Sequence, residues 1–155
     1  MRTSKGSLVV LLFYSLVVFV SPDFAQGNNS GFVLPPGPGK AGKVTLLGID
    51  TDGDGVRDDI QRYIYFTYPD DKKLRLGLTY YAIEFQGVLK DANDREAAYD
   101  HANKMSRHGD CLWYLKGEEA IDICRALRAN RLNNRERSMA YIKYSYNLGG
   151  RFIKG

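Results

Sequence analysis

Between Gly48 and Ile64 the chain reads GIDTDGDGVRDDIQRYI, which places Asp50, Asp52, Asp54, Asp58 and Asp59 inside ten positions. Counted from Asp50, carboxylates stand at positions 1, 3, 5 and 9, with Gly55 at 6 and Val56 at 7. Acids on alternate residues can curl toward one centre and wrap a hard cation, which takes about six to eight oxygen ligands. Gly55 supplies the sharp bend, Val56 a backbone carbonyl, and Asp58 a ligand either directly or through water. Position 12 is Gln61. Its carboxamide offers one neutral oxygen where a bidentate carboxylate is usual, so affinity is expected to fall unless Asp59 reaches round to substitute. One Ca2+ is the expected ion, because many flexible oxygens suit it better than Mg2+.

Turn and helix preferences explain only part of this crowding. Asp54, Asp58 and Asp59 precede or open a helix, where its dipole favours each by about 0.3–1 kcal/mol. That leaves Asp50 and Asp52, whose mutual repulsion costs stability when no cation is bound. The stretch Asp50 to Gln61 resembles the calcium loops of EF-hand, dockerin and thrombospondin type-3 proteins. DTDGDGV followed by an acid two residues on is most similar to the last of these. The likeness covers about 12 residues and implies metal binding alone. No amphipathic helix precedes Asp50, so there is no helix pair to open and expose a groove. The expected role is a structural clamp, not a sensor.

Other reactive residues point less far. Cys111 and Cys124 form an even pair around Gly117, which suits the turn of a helical hairpin, and a disulfide between them is expected in an exported chain. Such a loop closure would stabilise by about 3 kcal/mol. His101 and His108, seven residues apart on one helix, stand about 10 Å apart along the axis, too far for one zinc ion. They are expected on the surface or in helix packing. No nucleophile elbow, Ser-His-Asp order or phosphate-cradling glycine loop is present, so no catalytic residue is assigned and the chain is not expected to be an enzyme.

These groups need elements to hold them. Arg2, Lys5 and the apolar run Leu8 to Val20 read as a secretory signal peptide, residues 1–25, cut after Ala25. Once it is removed, no stable membrane span is expected, and the location is secreted or periplasmic. Residues 26–48 are rich in Gly and Pro and read as a flexible leader, with a glycosylation-type sequon at Asn28. Residues 49–155 form the calcium loop and a helical domain. Helical spacing runs through Ile60, Tyr63, Ile64 and Thr67, then through Leu74, Leu78, Tyr81, Ala82, Phe85 and Leu89. A starting box at Asn93 and Glu96 opens the stripe Ala98, Ala102, Met105, Gly109, Leu112, with Gly109 expected at a close helix contact. Ile121, Cys124 and Leu127 mark a fourth helix. Asn133 and Glu136 open a fifth with an inward stripe of Met139, Ile142 and Tyr146, ended by Gly149-Gly150. The fold class is therefore all-α, a single small bundle of about five helices.

Charge is uneven along the chain. Arg125 to Gly155 holds eight Lys or Arg and one acid, Glu136. Arg135, Arg137, Tyr141 and Tyr144 are a candidate surface for a protein partner; nucleic acid does not fit an exported chain. The layout of signal, acidic loop and helices resembles that of exported bacterial proteins and implies no particular activity. A calcium-binding structural or protein-binding module is the first reading. A partner-specific inhibitor or immunity-type protein using the basic helix is the second, and a cell-wall hydrolase the third.

Overall fold

Leu74, Leu78, Ala82, Phe85 and Leu89 recur every three or four residues and are all buried along one side of α2 (Lys72–Lys90). Asp71 starts that helix by accepting the Leu74 N–H at 2.9 Å. In this computed structural model residues 33–150 and 153 are described. The expected signal peptide, the first part of the leader and the Asn28 sequon lie outside them. Among the described residues the chain is all-helical, with no strand.

Around α2 stand α1 (Asp58–Thr67), α3 (Arg95–Lys116), α4 (Glu119–Arg131) and α5 (Arg135–Asn147), preceded by a short 3-10 turn at Ala41–Lys43. α2 packs along α3 and also meets α1 and α5, while α3 meets α4 and α5. One apolar cluster joins Val56, Ile60 and Ile64 to Leu78, Leu112, Ile123 and Leu127. A second joins Val88, Ala98 and Ala102 to Tyr144. Val56, at position 7 of the acidic loop, is fully buried in the first cluster. The loop is thus tied to the core by its own seventh position.

Several local expectations shift by one residue or one face. The α3 N-cap is Asp94, which accepts from the N–H groups of Glu96 and Ala97, and not Asn93. Asn134 caps α5 through the Arg137 N–H at 2.8 Å, while Asn133 turns away to Asp59. On α4 the buried face is Ala120, Ile123 and Leu127, and Ile121 is exposed. Gly109 fronts open space, and α3 side chains come close to α2 at Gly87 and at Gly77. A Cβ at Gly87 would meet the His101 ring at 2.3 Å.

Candidate metal centre

The acidic loop is drawn shut by its own backbone. The Asp58 N–H donates to the Ile49 carbonyl at 2.9 Å, joining the end of the loop to its start. Asp50 accepts from the N–H groups of Gly53 at 2.8 Å and Gly55 at 3.0 Å, and Asp54 accepts from Val56 at 2.8 Å. Gly55 has φ of 86°, a region costly for any residue with a Cβ. Asp58 is buried and accepts from the Thr51 N–H at 2.8 Å and the Thr51 hydroxyl at 2.6 Å. Thr51 was not singled out in the sequence; its place between Asp50 and Asp52 was the only clue.

The result brings Asp50, Asp52 and Asp58 together, each placing a carboxylate oxygen within 4.8 Å of the others. This group can hold a metal ion. Asp54 lies outside it but is linked to it through Gln61. The Gln61 side chain is buried, and its Nε2 donates to Asp52 Oδ2 at 3.0 Å and Asp54 Oδ2 at 2.7 Å. Its Oε1 is buried with no partner. The Gln61 hydrogen bond, opposed by burial, holds the Asp52 carboxyl below the usual carboxylate value. Burial pushes Asp54 up, and the neighbouring aspartates add to that, while the Val56 N–H opposes it.

Asp59 does not reach round to the loop. It takes a bidentate bond from Arg57, Nε at 2.9 Å and Nη2 at 2.7 Å, and a third from Asn133 at 3.1 Å. Burial raises its pKa, but the Arg57 bond and charge outweigh this and leave it lowered. Arg57, Arg131 and Arg137 are all fully buried in this region. Arg137 donates to the carbonyls of Gly42 at 2.7 Å, Thr45 at 2.8 Å and Leu46 at 2.9 Å. Asn134 holds the Lys43 carbonyl and Gln86 the Leu47 carbonyl. The described end of the expected leader therefore lies as a strap across α5 and α2, held through its carbonyls, with Pro35 buried near its start. Arg131 stacks on Phe85 at 5.0 Å and donates to Gln86 at 2.8 Å. Burial, then the Arg57 charge, pulls its guanidinium down to about 9.

Two expected features are corrected here. Cys111 and Cys124 are both free, Cys111 exposed and Cys124 half-buried. Gly109 and Trp113 of α3 share a groove of about 710 Å³ with Cys124. Cys111 stands between them in sequence, about 200° round the helix from either, and so points away from Cys124. The candidate partner surface is also largely internal. Arg137 is 0 % and Tyr144 6 % exposed, and Tyr141 stacks on Phe85 at 5.4 Å; of the four residues only Arg135 is exposed. The stripe expected to face inward is outside instead, with Met139 at 55 %, Ile142 at 59 % and Tyr146 at 79 % exposure.

The histidines sit in helix packing. His108 stacks on Tyr80, and His101 lies between Glu84 and Asp91, with each ring nitrogen 3.1 Å from a carboxylate oxygen. Among the described residues no helix is long and apolar enough to cross a membrane. Comparison with family models, curated proteins and solved structures finds no match to this chain.

Proposed function

We propose that this chain is an exported calcium-binding helical module whose ion clamps the loop before α1 onto the bundle. The observation that carries the reading is the convergence of Asp50, Asp52 and Asp58 on one side of a closed loop. The calcium-loop spacing supports Ca2+ as the ion, since the donors are all oxygens on a flexible backbone. Asp50 and Asp52 are exposed and Asp58 buried, so an ion would enter from solvent and sit against the start of α1. Val56 and Ile60 then carry its hold into the core. Export rests on the N-terminal sequence alone. A melt of the protein in excess calcium and in chelator tests the clamp. At about 100 times Kd the ion adds about 2.7 kcal/mol to stability, a rise of several degrees in Tm.

A protein-binding role is the second reading, favoured by the outward stripe Met139, Ile142 and Tyr146 beside Arg135. Ile142→Glu is then expected to break a complex that the wild type forms, without lowering Tm.

A further inference from the structure

Gln61 reaches into the acidic loop from the first turn of α1, beside Asp58. It is 2 % exposed, and its nitrogen bridges two carboxylates, at 3.0 Å to Asp52 and 2.7 Å to Asp54. A carboxamide nitrogen carries two hydrogens, and both are used here against negative oxygens. The same group carries a carboxamide oxygen that no donor uses. A buried polar atom left in this state is costly, and an oxygen so placed is free to take a donor or a cation.

Resting on the calcium reading above, we propose that Gln61 is a built-in substitute for the cation. Its amide hydrogens bond Asp52 and Asp54 and offset their mutual repulsion when calcium is scarce. Calcium displaces that nitrogen from Asp52, and the carboxamide then turns its unused oxygen to the ion. The side chain thus plays two parts, donor without the ion and neutral ligand with it. A glutamate at this position would give the ion a stronger ligand but could not donate to Asp52 and Asp54. The native residue gives up affinity and keeps the loop folded at low calcium. This makes calcium a reinforcement of the fold and not a condition for it.

Gln61→Glu separates the two parts. It is expected to tighten calcium binding about tenfold or more, because ligand charge sets affinity in such loops. In chelator it is expected to lower Tm by about 4 °C or more, since a donor is replaced by a further carboxylate. If this variant does not fold in chelator but folds in calcium, the proposal is supported. Gln61→Met provides the second comparison and is also expected to melt earlier than wild type in chelator. In the wild type, the Gln61 side-chain NH2 resonances are expected to move on adding calcium. A wild type that binds calcium, with unmoved NH2 resonances or with both variants as stable as wild type in chelator, overturns the substitute role alone. A wild type that binds no calcium in calorimetry overturns both this role and the calcium reading.

Discussion

Arg57 and Asp59 flank the loop acid Asp58 and join in a two-pronged ion pair, with Nε to Oδ1 at 2.9 Å and Nη2 to Oδ2 at 2.7 Å. Asp58 faces back to Thr51 and the loop, while Arg57 bonds the end of α4 and Asp59 accepts from Asn133 between α4 and α5. One turn of chain therefore serves two polar networks, the acidic group and the buried arginines. Arg57 also donates to the Arg131 carbonyl at 3.0 Å, which ties the start of α1 to the end of α4.

Asp59 is the carboxylate that Arg57 pairs with in this cluster, so Asp59→Asn leaves a buried guanidinium without its counter-charge. The expected loss is about 2–3 kcal/mol, below the full cost for a buried pair because Asp59 keeps some exposure. Its folded pKa is lowered from 3.8. The stability it contributes is therefore fully present above the unfolded carboxylate value, near 4, and is lost as pH falls through the lower folded value. Denaturant melts between pH 5 and about pH 2 should show a steeper acid loss in the wild type than in Asp59→Asn.

Arg137 holds the strap by bonding the carbonyls of Gly42, Thr45 and Leu46. Arg137→Met keeps the stem and removes every donor. Trypsin is expected to cut after Lys40 and Lys43 at least several-fold faster than in the wild type, with the helical content by circular dichroism retained. Equal cleavage rates would show that the strap is held by something else.

Gly87 lets the His101 ring lie against α2. An added methyl group would stand 2.3 Å from His101 Cε1, so Gly87→Ala is expected to cost about 1–3 kcal/mol despite its better helix propensity. Gly109→Ala, at a position open to a Cβ, is expected to be neutral or to stabilise by up to about 1 kcal/mol. Urea midpoints of the two variants make the comparison.

Both cysteines should react with a thiol reagent in denaturant without reductant. In the native protein Cys111 should react first, because it is exposed whereas Cys124 is half-buried and burial pushes its thiol pKa up. Two thiols blocked before reduction would instead point to a disulfide.

The helices and the acidic loop were legible because both are written locally. The α2 stripe repeats at helical spacing, and the loop carries its oxygens on alternate residues. The inner face of α5 was not, because its partners are remote. Arg137 bonds carbonyls 91 to 95 residues away, and nothing near it in the chain marks it as internal. By hydropathy, Met139 and Ile142 outrank Arg137 for the core, and tertiary hydrogen bonds reverse that order. The cysteine pairing failed for a related reason. Nearly equal distances from Gly117, six and seven residues, placed the two thiols at similar heights, but helix rotation decides which way each one points. Asp59 stands inside the acidic run yet belongs to the arginine network, a division set by Arg57 and Asn133 and not by spacing.

The most direct test of calcium at this loop is a calorimetric titration of the purified domain, wild type beside Asp50→Asn/Asp52→Asn. The wild type should take up one Ca2+ per chain, and the double variant should bind it at least about a hundredfold more weakly, since two charged ligands are lost. A wild type that gives no binding heat, or a double variant that binds as tightly, would contradict the assignment.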